Sequence, residues 1–281
     1  MDQHARPFRS VLYIPASNKR ALEKARGLAV DAIIFDLEDA VAVEEKAAAR
    51  GALAAALAQD YGARAKIVRI NALDTEWGLA DIAATKGADA VLLPKVNSAA
   101  DVEALAALVG DLPIWAMMET PLGTLNTAEI AAHPQLSGMV MGTNDLAKDL
   151  NCRFRADREP LLTSLQMCLL AARSHGVVAI DGVYNAFKDE DGLRAECEQG
   201  RDMGFDGKTL IHPAQLAAAN AAFAPSTDEV DLARRQIEAF EKAAAEGQGV
   251  AVVDGRIVEN LHIVTARQTL AKADMIAKLE G

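Results

Sequence analysis

Short apolar runs recur along the chain, each followed by a polar or charged cluster. The rhythm predicts strands at 10–14, 32–37, 65–70, 90–93, 114–118, 138–141, 177–180 and 207–211. Ala- and Leu-rich stretches at helical spacing lie between them, at 46–58, 99–108 and 161–174 among others. Strands alternating with helices across short loops describe parallel βα units joined by right-handed crossovers. Eight such units favour a closed (β/α)8 barrel, the TIM-barrel class of α/β fold, over a doubly wound sheet. A dinucleotide fold is disfavoured by the residues at the end of the first strand: Ile14-Pro15-Ala16-Ser17-Asn18, with no Gly-x-Gly-x-x-Gly. No Walker A pattern occurs either.

Past the eighth strand, 213–222 predicts a closing helix, and then the pattern changes. Thr227 opens a helix with Asp228, Glu229 and Asp231 in its first turns, where acids suit the helix dipole; Gly247-Gln248-Gly249 breaks it. Asp254-Gly255, flanked by β-forming residues, is a hairpin signal, and a last helix spans 260–279. The expected division is a catalytic barrel over 1–225 and a helix–hairpin–helix appendage over 226–281, serving as a lid or an oligomer contact.

Composition narrows the class. Hydrophobic residues form 51% of the 281, enough for a sizeable core, while aromatics form only 4%, so aliphatic side chains must fill a parallel sheet sheathed in helices. Asp and Glu number 40 against 29 Lys and Arg, a net charge of -11 without a cationic stripe, so no nucleic-acid partner is expected. A phosphorylated ligand remains compatible, because a few local cations suffice. Cys152, Cys168 and Cys197 form no CxxC and read as reduced thiols. With no apolar leader and no run of membrane-spanning length, a cytoplasmic location without membrane association is the expectation.

Barrel chemistry gathers at the C-terminal ends of strands. That rim collects Pro15, Glu38, Asp39, Arg69, Asn71, Pro94, Lys95, Glu119, Asn144, Asp145, Asp181 and His212. Glu119 and Asp145 end successive apolar runs, and two carboxylates leave positions on an octahedral Mg²⁺, or Mn²⁺, for water and substrate oxygens. The competing reading is that each caps the helix after it. Zinc is disfavoured, since His4, His133, His175, His212 and His262 include no close ligand pair.

Arg69 can present a donor fork to a carboxylate or to a carbonyl gaining negative charge, or can pair with Glu38 or Asp39; both roles can coexist. Of Glu38 and Asp39, opposite pleat directions let only one point over the barrel mouth. Asp36 reads equally as a functional acid or a paired structural one. Lys95, Lys148, Arg153, Arg155 and Arg158 supply positive charge that Asp149, Asp157 and Glu159 partly offset, giving a phosphate contact or a solvated loop. Lys208-Thr209-Leu-Ile-His212-Pro213 lies at the eighth strand, and the last barrel loops often hold phosphate, although His212 also reads as structural. Glu259 becomes an acid or base only if the appendage reaches a rim.

Several of these residues lie in longer motifs. Ser10-Val-Leu-Tyr-Ile-Pro-Ala-Ser-Asn-Lys-Arg-Ala-Leu-Glu-Lys-Ala and Asp31-Ala-Ile-Ile-Phe-Asp-Leu-Glu-Asp-Ala-Val41, with Lys46 and Arg50, resemble the citrate lyase beta subunit and related CoA ester lyases. The resemblance continues through Val68-Arg-Ile-Asn71, Leu93-Pro-Lys95, Glu119-Thr-Pro-Leu-Gly123, Gly142-Thr-Asn-Asp-Leu-Ala-Lys-Asp149, Asp181-Gly-Val183 and Gly204-Phe-Asp-Gly-Lys-Thr-Leu-Ile-His-Pro-Ala-Gln215. It implies a Mg²⁺-dependent (β/α)8 enzyme cleaving or forming carbon–carbon bonds in 3-hydroxyacyl thioesters such as malyl-CoA or citramalyl-CoA. Glu119 and Asp145 would hold the metal, Arg69 would contact the thioester carbonyl and favour its enolate, and Glu38 and Asp39 would organise Arg69 or the metal waters. Lys95, Lys208 and His212 are the candidate contacts to the CoA thioester. In larger relatives a C-terminal aspartate from an adjacent subunit exchanges the α-proton; Glu259 stands at that position, which implies a homotrimer or hexamer. Alternatives are a citryl-thioester lyase subunit using an acyl carrier protein, a malyl-CoA thioesterase, a Mg²⁺ aldolase using pyruvate enolate, and an idle barrel retained for assembly.

Overall fold

The computed structural model describes residues 6–280; His4 and the start of the chain lie outside the described residues. The strands are β1 (Ser10–Pro15), β2 (Ala32–Asp36), β3 (Ala65–Arg69), β4 (Ala90–Leu93), β5 (Ile114–Met118), β6 (Leu136–Met141), β7 (Val178–Asp181) and β8 (Gly207–Leu210). All eight are parallel and pair in sequence order, and β1 closes on β8 through Ser10 opposite Lys208 and Leu12 opposite Leu210. This is the expected (β/α)8 barrel. Every strand lies within two residues of the position its apolar run predicts.

Period-two alternation splits the apolar residues into two layers. Val11, Ala32, Ile34, Ile67, Leu92, Trp115, Val140 and Ile180 fill the barrel interior. Leu12, Ile33, Phe35, Val68, Val91, Ala116 and Leu210 face the helices and meet Leu53, Leu105, Leu165 and Leu193. Each fully buried Val, Leu, Ile or Phe among them contributes on the order of 1.5–3 kcal/mol. Sequence irregularities have local causes: the β5–β6 register shifts beside Ile114 and Trp115, where a Cβ on Gly138 would lie 2.3 Å from the Trp115 ring. Only glycine lets β6 pass that indole.

Helix starts follow their capping chemistry. Ser98 and Asp101 form a capping box before Ala99–Val109, and Ser226 and Glu229 form another before Thr227–Ala245. The chain divides into two compact units, Phe8–Phe223 and a second that includes the chain from Ala224 onward. In the second, β9 (Ala251–Val253) and β10 (Arg256–Val258) form an antiparallel hairpin whose turn residues Asp254 and Gly255 have φ of 50° and 74°. Positive φ at both is what a type I′ turn requires, and it explains the Asp-Gly pair. Val253, Val258 and Ile263 pack there against Leu232, Ile237 and Phe240, and the helix Asn260–Glu280 completes the helix–hairpin–helix unit. Among the described residues no helix is long and apolar enough to cross a membrane.

Candidate active site

Strand parity decides which rim residues meet. Tyr13, Asp36, Arg69, Met117 and Glu119 share the inward phase of the interior layer, and all five line a cavity of about 280 Å³ at the C-terminal mouth, together with Asp39, Asp145, Val183 and Ile211. Asp36 and Arg69 stand opposite each other in the β2–β3 register. That register makes a bidentate pair: Arg69 Nε donates to Asp36 Oδ1 at 2.7 Å and Nη2 to Oδ2 at 2.6 Å. Arg69 Nη1 lies 2.9 Å from Glu38 Oε2 and 3.6 Å from Asp39 Oδ2, and its guanidinium carbon sits 5.0 Å from the centre of the Tyr13 ring. Asp36 is thus the paired acid of its two readings and the main partner of Arg69. Burial opposes the guanidinium charge, but Asp36 and its hydrogen bonds, with Glu38, hold Arg69 protonated well above the ordinary arginine range.

The 36–40 loop is pinned from below. Asp36 accepts the backbone N–H groups of Glu38 and Ala40, while Lys46 Nζ donates to the carbonyls of Leu37 and Glu38 and to Asn71 Oδ1. Asn71 in turn donates its backbone and side-chain N–H to Asp81 Oδ2. The loop therefore buries Glu38 against Arg69 and leaves Asp39 in the cavity wall with 63% of its side chain exposed. Burial pushes Glu38 up to about 7, Arg69 opposing and Asp39 adding to the rise.

Glu119 is 2% exposed, and Oε1 accepts the Lys95 backbone N–H at 2.7 Å. Burial raises its pKa against the pull of Lys95 and Arg69. It is not a helix cap: Thr120 caps Pro121–Leu125 by accepting from the Gly123 N–H. Gly142, at the end of β6, makes room for it, since a Cβ there would lie 2.4 Å from Glu119 Cβ and 2.7 Å from Oε2. Asp145, in the first turn of Thr143–Asp149, accepts from Lys95 Nζ at 2.9 Å. The same ammonium lies 3.8 Å from Glu119 Oε1 and 3.8 Å from Glu38 Oε1.

A side-chain cation at the focus of three carboxylates shows that the geometry accepts positive charge, and an all-oxygen donor set suits Mg²⁺ or Mn²⁺. Among the described residues no cluster of three or more His, Cys, Asp or Glu side chains gathers closely enough to hold an ion unaided. Glu119 and Asp145 would supply two ligands and leave the others to water and substrate.

Two expected CoA contacts are engaged elsewhere. Lys208 has the outward parity of Leu210, is fully buried, and donates to Asp181 at 3.1 Å and to Glu196 at 2.6 Å, so its charge is not offered to a phosphate. Asp181 likewise faces outward, binds Arg158 Nη1 at 2.7 Å, and is held below the ordinary range by Lys208 and Arg158 despite its burial. His212 is exposed and does not line the cavity; its Nδ1 accepts from the Ala214 N–H and its ring stacks on Phe187 at 4.7 Å. Arg153, Arg155 and Arg158 border an adjoining cavity of about 400 Å³ that shares Thr143 and Val183 with the first, with Arg155 paired to Asp157. Glu259 lies in the second unit, directly before Asn260–Glu280, with its N–H donating to His262 Nδ1.

Sequence reasoning passed over Tyr13, Lys46, Asp81 and Gly142 as parts of this site. For Tyr13 the signal was present: it shares the phase of Val11 on a strand whose inward residues are otherwise apolar.

A family model, HpcH/HpaI aldolase/citrate lyase, matches residues 9–213. The chain belongs to that family. It is 70% identical to (3S)-malyl-CoA thioesterase of Cereibacter sphaeroides over 280 residues, covering 99% of this chain and 98% of the relative. Against citrate lyase subunit beta of Escherichia coli the identity is 38% over 289 residues, covering 98% and 96%. CitE from Mycobacterium tuberculosis, solved with magnesium, acetoacetate and coenzyme A, superposes with a TM-score of 0.81 at 32% identity, covering 96% of this chain and 99% of that one.

Proposed function

We propose that this protein is a Mg²⁺-dependent enzyme acting on malyl-CoA, and that its net reaction is hydrolysis of the thioester to malate and free CoA. The observation that carries the choice is the 70% identity, over nearly the whole of both chains, to a (3S)-malyl-CoA thioesterase. The mouth geometry supports the chemistry. Mg²⁺ held by Glu119 and Asp145 would polarise the substrate's hydroxyl and carboxylate oxygens. Arg69, fixed by Asp36, still has N–H groups beyond those its acids occupy, and these would stabilise negative charge on the thioester oxygen. Glu38, with a pKa near 7 and 2.9 Å from Arg69, would take a proton from water as it adds to the thioester carbon and return it to the departing thiolate.

Carbon–carbon cleavage to glyoxylate and acetyl-CoA is the second reading. It is favoured by the family assignment and by the same Arg69 fork, which suits an enolate as well as a tetrahedral oxyanion. In that reading Glu259 would exchange the α-proton from a neighbouring subunit of a homo-oligomer.

The deciding experiment incubates purified protein and Mg²⁺ with malyl-CoA, citramalyl-CoA and β-methylmalyl-CoA and resolves free CoA from shorter acyl-CoA. Malate with free CoA is the expected outcome, lost on chelation. Glyoxylate with acetyl-CoA in equal amounts would replace the hydrolytic reading by the lyase one, and turnover that persists in chelator would remove the metal from both.

A further inference from the structure

We propose that Lys95 is the resident counter-cation of the acid seat: its ammonium gathers Glu38, Glu119 and Asp145 in protein stripped of divalent ions and is expelled when such an ion binds. The inference rests on the reading of Glu119 and Asp145 as metal ligands. Its first support is position. Lys95 Nζ is 2.9 Å from Asp145 Oδ2 and 3.8 Å from an oxygen of each of Glu119 and Glu38, so ammonium and ion compete for the same oxygens. Two cations on the same oxygens repel each other, so each weakens the other's hold.

The second support is how the residue is mounted. Its backbone is left-handed, with φ 52°, its N–H is committed to Glu119 Oε1, and its carbonyl accepts from Asn97 Nδ2 at 3.0 Å. Left-handed backbone is unfavourable for a lysine and persists where surrounding contacts enforce it. The backbone is thus fixed while the side chain, 47% exposed, has solvent beside it into which it could swing. Lys208, by contrast, is paired to Asp181 and Glu196 and is fully buried.

The third support is charge. Asp36 takes both parallel N–H bonds of Arg69, leaving Glu38, Glu119 and Asp145 to share Lys95 and the remaining guanidinium edge. Exchange of an ammonium for a divalent ion improves that balance. It also frees a positive side chain at the mouth, beside the ion, where it would meet a carboxylate of the incoming substrate. The implied binding order is ion before substrate.

The test is Mn²⁺ binding to the chelator-stripped full-length protein, followed by electron paramagnetic resonance, with thermal melting in parallel. Lys95→Met keeps the stem and the backbone contact but removes the competitor; it should bind Mn²⁺ about tenfold more tightly or better than wild type. Its melting temperature in chelator should fall, and Mn²⁺ should raise it by more than in wild type. Lys95→Gln should shift the affinity in the same direction, which guards against a packing effect of Met. Equal or weaker Mn²⁺ binding by both variants, with wild type binding normally, overturns the counter-cation role alone. Absence of Mn²⁺ binding in wild type and variants alike overturns the metal seat itself.

Discussion

Two charge clusters lie one strand phase apart in this barrel, and they differ in balance. Outside the strands, beneath the helix Glu190–Met203, Lys208 and Arg158 face Asp181 and Glu196: two cations and two acids, all mutually paired. At the mouth, Asp36, Glu38, Asp39, Glu119 and Asp145 face two cations among the described residues, Arg69 and Lys95. The balanced cluster acts as a brace, with Arg158 Nη2 its one buried nitrogen lacking a hydrogen-bond partner among the described residues. The unbalanced one keeps negative potential pointed into a cavity, and it is where an external cation has something to do.

Breaking the brace should have the largest effect. Asp181→Asn leaves two buried cations with one carboxylate, and we predict a loss of about 3–5 kcal/mol of stability. Urea denaturation would measure it, with Mn²⁺ affinity in the folded protein unchanged. A shift in Mn²⁺ affinity without a stability loss would erase the distinction between the clusters.

The mouth should respond in the opposite way. Glu119→Gln is predicted to cut turnover by roughly 10²–10³-fold, as removal of a transition-state charge partner does. Because it relieves crowding among acids, its melting temperature in chelator should equal or exceed that of wild type. Gly142→Ala probes the same acid through sterics and should weaken metal binding more than it disturbs the barrel, checked by Mn²⁺ titration beside circular dichroism.

The smallest effect is a slope with pH. Glu38 is raised from 4.5 in the unfolded chain to about 7, so the folded state holds its proton more tightly. Its contribution is fully present below about pH 4.5 and is lost as pH rises through about 7. Relative to Glu38→Gln, wild-type stability in chelator should therefore fall across that window. Parallel pH profiles would place Glu38 in a solvated setting instead.

The fold was largely legible in the sequence because parallel strands buried on both faces are continuous apolar runs, and the Asp-Gly turn and Ser capping signals have direct conformational causes. The site was legible in part. Glu119, Asp145, Arg69 and Glu38 were found by their place after apolar runs. Asp181 satisfied the same rule and belongs to the brace, together with Lys208 from within β8. What separates them is phase: Glu119 is in step with Trp115 and Met117, which face inward, while Asp181 is out of step with the interior Ile180. Register supplies what phase alone does not, setting Asp36 against Arg69, and no local pattern announces the Lys46, Asn71 and Asp81 network that fixes the loop.

The bare α-carbon at Gly142 carries a lesson for anyone who would retool this enzyme. Its neighbour fills the space that any side chain would need, so libraries aimed at new substrates gain nothing by randomising that codon. Variation has to enter through Tyr13, Val183 and Ile211, which wall the cavity without holding the acid in place. The map of what can be redesigned here is drawn by one missing methyl group.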